Sequence, residues 1–363
     1  MHILMTTDTV GGVWTYCVQL ARALQPLGVQ FFLAAKGRPS DDQIETAEAL
    51  ENVTLVMADY KLEWMKDPWR DVQEAGKWLF DLARALQPDL VHLNDYCHAS
   101  LPWKVPTLVV GHSCVVSWIR AVRGESPGSD WNRYRREVKR ALARADLVVA
   151  PSRHMLYSLE QNYGRMRSRQ VIHNGCGPGG FQSGRKQRLI FSAGRLWDDA
   201  KNLQTLAAAA PYLDWPVHVA GLPHPDGRDG DVDSVRTMTW LGRLSTAEMA
   251  ATYARASIYA LPALYEPFGL TVLEAALSGC ALVLGDIPTL RENWSGAALF
   301  VPPRDVRSLV HAINRLARDG TLRRQLTQSA GERARELTAA RMAEAYYRSY
   351  RHLSTQVPAV AVA

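Results

Sequence analysis

The strongest constraint on the fold is an alternation of short apolar runs with longer helix-forming stretches along most of the chain. This alternation is typical of parallel sheets whose strands are joined by helices. In the first half, strands are predicted at His2–Thr6, Gln30–Ala34, Val53–Val56, Leu90–Leu93, Thr107–Val110, Leu147–Ala150 and Gln170–Ile172. Helices are predicted between them, notably at Val13–Leu27, Trp69–Leu86 and Trp131–Ala145. The first half therefore predicts a parallel α/β domain.

The pattern is interrupted once and then starts again. After Asn174-Gly175 the chain is rich in Gly, Pro and Ser, which is typical of a linker. Further strands are predicted at 189–192, 217–220, 239–241, 256–262, 282–284 and 299–301, and amphipathic helices at Asp305–Arg318 and Arg341–Leu353. A chain of 363 residues is long enough for two cores. We predict an N-terminal domain over 1–177, a linker over 178–186 and a C-terminal domain over 187–340.

Composition excludes several classes of protein. The chain is 47% apolar and 21% charged, as in ordinary globular proteins. Its net charge of +6 is compatible with anionic ligands or a membrane surface but identifies neither. No nucleic-acid-binding motif is present, so we predict no nucleic acid partner. The five cysteines are never in C-x-x-C spacing, which argues against a disulfide framework or a zinc site.

The hydropathy of the chain bears on its compartment. No apolar run approaches the roughly 20 residues that a membrane-spanning helix needs. The N-terminus lacks the basic and long apolar regions of a signal peptide. The sequence therefore predicts a cytoplasmic protein.

The most informative stretch runs from Glu266 to Glu274, where a Pro-Phe-Gly turn joins a predicted strand to a predicted helix. Backbone N–H groups at a helix start attract anions, and carboxylates accept hydrogen bonds from hydroxyl groups. This combination suits a ligand with phosphate and hydroxyl groups, such as a nucleotide sugar. Thr271-Val272-Leu273-Glu274 also has capping-box spacing, so Glu274 could instead satisfy the helix start.

Other candidate residues follow predicted strands, where parallel sheets place functional loops. Gly11-Gly12 lies between the first strand and helix, and His112 follows the strand at Thr107–Val110. A histidine at a strand end is more often a structural hydrogen bonder than a catalytic group. Arg195 follows a strand and Lys201 is predicted to open the next helix, so the two cations could neutralise a diphosphate or form an exposed basic pair.

Taken in order, these features resemble the retaining GT-B glycosyltransferases with an E-x7-E motif. That group contains sucrose and glycogen synthases and many bacterial mannosyl- and glucosyltransferases. The features are the Gly11-Gly12 loop, His112, Asn174-Gly175, the Arg195 and Lys201 pair, and the two glutamates Glu266 and Glu274. The resemblance covers nearly the whole chain. It implies two Rossmann-like domains facing across a cleft, with a C-terminal helix (about 341–363) crossing back to the N-terminal domain.

The resemblance also implies an activity. A hexosyl unit would move with retention from a UDP- or GDP-sugar to a hydroxyl acceptor, which could be a glycan, a glycolipid or a small molecule. No cofactor is implied, and in the family the cations at the diphosphate substitute for a metal ion, so we predict a metal-independent reaction. Catalytic roles fall to His112, Glu266, Arg195 and Lys201. Donor contacts fall to Gly11, Gly12, Arg195, Lys201, Gly242, Arg243, Phe268, Gly269, Leu270, Thr271 and Glu274.

Some features depart from the family pattern or leave alternatives open. His173 stands where a proline is common, and residues 222–227 differ from the usual glycine-rich loop, which leaves the base undecided. The arginine-rich helix around 131–140 could contact an acidic acceptor or a membrane, or be a solvated face. A nucleotide-sugar 2-epimerase and a non-catalytic nucleotide-sugar-binding protein remain alternatives. The missing G-x-G-x-x-G fingerprint argues against an NAD(P)-linked oxidoreductase.

Overall fold

The computed structural model describes residues 1–177, 180–222 and 237–355. The chain divides into two compact units. The N-terminal unit holds Met1–Arg120, Glu125–Gly175 and the described residues from Ala339 onward. The C-terminal unit holds Ala121–Gly124 and the described residues of Cys176–Thr338.

The N-terminal unit is built on a seven-stranded parallel sheet in the order β3-β2-β1-β4-β5-β6-β7. The strands are β1 His2–Asp8, β2 Gln30–Lys36, β3 Val53–Ala58, β4 Leu90–Leu93, β5 Thr107–Val110, β6 Leu147–Ala150 and β7 Arg169–Val171. Three interior strands, β4, β5 and β6, are buried at every position. Near-continuous apolar runs are what a parallel strand needs when helices cover both of its faces.

Helices join most of the strands up to Gly175, with only a 3₁₀ turn between β4 and β5 and two helices between β5 and β6. They are α1 Gly12–Leu24, α2 Asp41–Glu48, α3 Trp69–Leu86, α4 Val115–Arg123, α5 Asn132–Arg144 and α6 Arg153–Tyr163. Helix α13 (Ala339–Thr355) also belongs to this unit and packs against α1, where Tyr346 and Tyr350 are fully buried. The predicted return of the C-terminal helix to the N-terminal domain is confirmed. Residues 356–363 of the predicted helix lie outside the described residues.

The C-terminal unit has a six-stranded parallel sheet in the order β10-β9-β8-β11-β12-β13. Its strands are β8 Gln187–Ala193, β9 Val217–Ala220, β10 Thr239–Trp240, β11 Ala256–Leu261, β12 Ala281–Gly285 and β13 Ala298–Val301. Its α-helices in the described ranges are α7 Leu203–Ala209, α8 Thr246–Arg255, α9 Leu270–Leu277, α10 Pro288–Trp294, α11 Val306–Arg318 and α12 Gly320–Ala334. The predicted α/β fold with two parallel sheets is confirmed.

Two further observations concern the sequence predictions. Residues 180–186 of the predicted linker pack on the C-terminal unit, because Phe181 contacts its core and Gly184 donates a backbone hydrogen bond to Ala254. Residues 178–179 lie outside the described ranges. Across those ranges, every helix falls short of the length or the apolar character that a bilayer crossing requires.

Candidate functional site

The candidate site lies at the carboxyl edge of the C-terminal sheet. Strand β8 leads into Gly194 and Arg195, β9 into Gly221, β10 into Gly242, and β11 into the loop that carries Glu266. Because the strands are parallel, their carboxyl ends all meet at this edge, where open α/β sheets bind ligands.

Lys201 and Glu266 form an ion pair at this edge. The Lys201 Nζ atom donates a hydrogen bond to Glu266 Oε2 at 2.5 Å. The Lys201 side chain is 15% exposed and the Glu266 side chain 10% exposed. An ion pair so sheltered from water is much less screened by salt than a surface pair. The structure thus brings together the lysine and the first glutamate of the predicted site, which are 65 residues apart in the chain.

Lys201 is held by the short loop in which it lies. It ends a 3₁₀ helix, Asp199–Lys201, and α7 begins only at Leu203, so the prediction that Lys201 opens the helix is wrong. The physical reason is Asn202, which adopts a left-handed conformation (φ 54°) and breaks the run. The Asn202 side-chain amide donates to the carbonyls of Pro262 and Pro303, at 2.8 and 2.6 Å. These bonds fasten the lysine loop to the loops that follow β11 and β13.

Arg195 also has a carboxylate partner. Its guanidinium donates to Asp198 Oδ2 at 2.6 Å, and the other oxygen of Asp198 caps the 3₁₀ helix through the N–H of Ala200. The Arg195 guanidinium carbon lies 5.2 Å from the centre of the Trp197 ring, within cation–π range. Its side chain is 40% exposed, so part of it is accessible to a ligand.

The turn from Glu266 to Gly269 is fixed by side chains on both sides. Glu266 Oε1 accepts the Gly269 N–H at 3.0 Å, and the Thr289 hydroxyl donates to the Glu266 carbonyl. Asn293 donates to the Phe268 carbonyl at 3.3 Å. Gly269 has φ 89°, a left-handed conformation that a residue with a side chain adopts only with strain.

Two of the predicted donor contacts lie in this turn. The carboxylate of Glu266 accepts the N–H of Gly269. The Phe268 side chain is 3% exposed and belongs to the hydrophobic core, so only its backbone is a candidate contact with a ligand. Leu270 and Thr271 begin α9 and are half-buried. No side chain caps the described N-terminus of α9, which leaves its first amides as candidate donors.

Glu274 lies on the first turns of α9, where it accepts a hydrogen bond from the Tyr253 hydroxyl at 3.2 Å. The N-cap of α9 is Gly269, so Glu274 is the fifth helical residue and does not close a capping box. Burial raises the pKa of Glu274 to about 7, and the hydrogen bond from Tyr253 lowers it in part. A carboxyl group poised near neutral pH at a site edge is a recognised feature of functional sites.

The loop after β10 contributes Gly242 and Arg243. The Gly242 carbonyl accepts the Gly221 N–H at 2.9 Å, which ties the ends of β9 and β10 together. Arg243 is exposed. Residues 223–227, which bear on the predicted base-binding loop, lie outside the described residues.

The remaining predicted site residues lie in the N-terminal unit. His112 Nε2 lies 2.7 Å from Asn94 Oδ1, and the amide nitrogen of Asn94 donates to the Thr6 carbonyl at 2.6 Å. An amide oxygen only accepts, so Nε2 carries the proton and the neutral ring keeps Nδ1 as an acceptor. Burial lowers the pKa of His112 to about 3, so the imidazole is neutral at physiological pH. It acts as a hydrogen-bonding group.

Gly11 and Gly12 lie at the start of α1. Gly11 is the N-cap residue, with extended backbone, and no side chain caps this helix end. Val10 donates its N–H to Asp8 Oδ1 at 2.9 Å, which shapes the turn before the helix. The first amides of α1 are therefore candidate donors to a ligand.

Sequence reasoning missed several residues of the site. Asp198 and Asn202 lie close in sequence to the predicted Arg195 and Lys201. The signal for Asp198 was its position three residues after Arg195. Tyr253 and Thr289 are far in sequence from the glutamates that they contact, and Asn94 is far from His112, so no local pattern marks them. Within the described ranges, no group of three or more His, Cys, Asp or Glu side chains could hold a metal ion.

Comparison with known proteins agrees with this architecture. The family described as Glycosyltransferase Family 4 matches residues 10–177, and Glycosyl transferases group 1 matches residues 187–319. The glycogen synthase of Mycobacterium tuberculosis (strain ATCC 25618 / H37Rv) is 26% identical, over 92% of this chain and 90% of its own.

Solved structures show the same fold. Sucrose-phosphate synthase from Thermosynechococcus elongatus superposes with a TM-score of 0.81 at 18% identity, covering 98% of this chain and 100% of the other. Anabaena Alr3699/HepE in complex with UDP-glucose has a TM-score of 0.77 at 16% identity, covering 97% and 100%. With both halves matched by glycosyltransferase families and both sheets in place, the chain belongs to the GT-B glycosyltransferases of glycosyl transferases group 1.

Proposed function

We propose that the protein transfers a hexosyl unit with retention from a UDP- or GDP-sugar to a hydroxyl acceptor, without a metal ion. The observation that carries the proposal is the grouping of Arg195, Lys201 and Glu266 at the carboxyl edge of one parallel sheet. A nucleoside-diphosphate sugar needs cations for its diphosphate and carboxylates for its hydroxyls. This edge supplies both.

The two cations would stabilise the departing diphosphate. Glu266 accepts one hydrogen bond from the Lys201 ammonium, which has three N–H donors, so two remain for phosphate oxygens. Asp198 and Trp197 hold the Arg195 guanidinium in place. Groups fixed in advance lose little freedom when charge develops, and such stabilisation is usually a large catalytic term.

The reaction would proceed on one face of the sugar. The bond between the anomeric carbon and the phosphate oxygen breaks, and its electron pair passes to the diphosphate. The acceptor oxygen bonds to the same face of the anomeric carbon while its proton passes to a phosphate oxygen. Glu266 would orient sugar hydroxyls and stabilise positive charge, and Glu274 would accept hydrogen bonds from the ribose diol. His112, neutral at physiological pH, would serve as a hydrogen-bond partner.

The relatives bear on the substrates. The solved complex of Alr3699/HepE contains UDP-glucose, and other relatives are named as a glycogen synthase and a sucrose-phosphate synthase. We infer a UDP-glucose-type donor as the first candidate and a carbohydrate hydroxyl as the acceptor class. The exposed Arg135, Arg136, Lys139 and Arg140 of α5 would add contact with an acidic acceptor or the surface of a cytoplasmic membrane.

A screen of nucleotide sugars tests the function. The true donor binds the folded protein and should raise its melting temperature, and it should then be turned over with a carbohydrate acceptor. NMR of the product should show the anomeric configuration of the donor. Conversion of the donor to its 2-epimer, or binding without turnover across an acceptor panel, would contradict the proposal.

We predict that EDTA leaves the transfer rate unchanged. Arg195 and Lys201 take the place of a divalent cation at the diphosphate, so chelation should remove nothing that the reaction needs. The measurement compares initial rates with and without an excess of EDTA over trace metal, and again after addition of Mg²⁺ or Mn²⁺. Activity that disappears with EDTA and returns with Mg²⁺ would refute metal independence.

A further inference from the structure

A basic pocket lies at the edge of the C-terminal sheet opposite the candidate donor site. It is an open pocket of about 740 Å³, within the size range of small-molecule sites. Its lining includes Gln187, the first residue of β8, and Ser257, near the start of β11. At about 3.3 Å per residue, the length of β8 separates this edge from Arg195 by roughly 20 Å. The pocket is therefore distinct from the candidate donor site.

The charged side chains that line the pocket are mostly cationic. The cationic side chains that line it are Lys186, Arg188, Arg318, Arg323 and Arg324. Asp214 is the one carboxylate in the lining, and Arg318 already binds it through two hydrogen bonds of 2.7 and 3.0 Å. Four cationic side chains are left without a carboxylate among the lining residues.

The ammonium group of Lys186 is held in the pocket by backbone carbonyls. It is half-buried and donates to the carbonyls of Tyr253, Ala256 and Ser278 at 2.6–3.0 Å. All three N–H donors are satisfied, but carbonyl groups do not neutralise a full charge. Burial lowers the pKa of Lys186, as expected for a cation without a carboxylate partner.

Arg323 is also positioned by the protein. Its guanidinium donates to the Leu316 and Ala317 carbonyls at the end of α11 and stacks on Trp215, 5.0 Å from the ring centre. Burial, and then the positive charge of Arg324, lowers the pKa of Arg323. Arg188 is exposed and has no ion-pair partner among the described residues. Cations held together in this way repel one another until an anion binds between them.

We propose that this pocket is a second anion site, which binds a small soluble molecule carrying a phosphate or diphosphate group. Guanidinium groups bind phosphate oxygens through paired hydrogen bonds, and Arg188, Arg323 and Arg324 supply three of them around one opening. The site goes beyond the proposed transfer reaction, because none of these residues lies at the donor edge.

The probe is inorganic pyrophosphate, titrated calorimetrically into three variants. Arg188→Glu/Arg324→Glu reverses two exposed charges of the pocket, whereas Arg165→Glu/Arg167→Glu makes the same charge change at two exposed arginines of the N-terminal unit. Lys201→Ala weakens any binding at the donor edge. We expect a binding event that persists in Lys201→Ala and in the control pair but weakens at least tenfold in Arg188→Glu/Arg324→Glu.

Two results would overturn the proposal. One is pyrophosphate affinity in Arg188→Glu/Arg324→Glu that equals that of the control pair, with both measured in a Lys201→Ala background. The other is a pair of observations: pyrophosphate does not bind to the pocket, and the protein sediments with phosphatidylglycerol vesicles only when Arg188 and Arg324 are present. That result would assign the arginines to a lipid headgroup. Melting temperatures of all variants show whether each remains folded. Failure of the donor proposal would appear separately, because Lys201→Ala would then leave all pyrophosphate binding unchanged.

Discussion

Lys201→Ala is expected to lower kcat about 30- to 1000-fold, because the barrier should rise by roughly 2–4 kcal/mol. The donor KM should change less. The lysine would meet a diphosphate whose negative charge grows as the glycosidic bond breaks, so its loss should weaken the transition state more than the ground state. Arg195→Ala should act in the same direction. Because both cations share one partner, the double variant should differ from the sum of the single effects. Steady-state kinetics at saturating donor provide the measurement.

The ion pair with Glu266 requires a control for stability. Lys201→Ala leaves the buried carboxylate of Glu266 unpaired, which costs several kcal/mol by itself. Lys201→Ala/Glu266→Gln removes that charge, while the amide oxygen of the new side chain can still accept the Gly269 N–H. This variant should regain melting temperature, which shows how much of the stability loss comes from the unpaired carboxylate. Because Glu266 is itself a proposed catalytic residue, the role of Lys201 is judged from the kcat of the single variant. Near-wild-type kcat in Lys201→Ala would assign Lys201 a structural role only.

The architecture was predictable because each strand carries its own signal. β4, β5, β6 and β9 begin and end at the predicted residues, since each is a short, mainly apolar run bounded by polar, proline or glycine residues. A helix with a weak local signal was harder to place. Helix α2 (Asp41–Glu48) escaped prediction although Ser40 and Gln43 form a capping box, because only Ala47 of this helix is buried.

The site was predictable as a set of residues but not as a set of contacts. Arg195, Lys201, Glu266 and Glu274 stand out by motif, and the sheet brings their loops to one edge. Their partners could not be predicted, because pairing depends on side chains that are distant in sequence. No motif predicted that Lys201 donates to Glu266, or that Tyr253 donates to Glu274.

Glu274→Ala is expected to weaken donor binding by about 100-fold, because two hydrogen bonds from a ribose diol to a carboxylate are worth roughly 3 kcal/mol together. The same contact predicts a pH dependence. With a pKa of about 7 in the free protein, Glu274 is mostly ionised at pH 8 and about a tenth ionised at pH 6. If the donor binds the ionised form, its affinity should fall about tenfold from pH 8 to pH 6. Calorimetric titration with the donor across this range measures both effects.

Two variants separate this role from a structural one. Glu274→Gln removes the ionisable group and should make donor affinity weak and independent of pH between 6 and 8. Tyr253→Phe removes the hydroxyl that lowers the pKa of Glu274, so the affinity profile should move to higher pH while the carboxylate remains. A nucleoside-diphosphate sugar has no phosphate that titrates in this range, so the profile reports on the protein. If Glu274→Ala lowered the melting temperature but left donor affinity and its pH profile unchanged, Glu274 would be a structural residue of α9 and not a ligand for the donor.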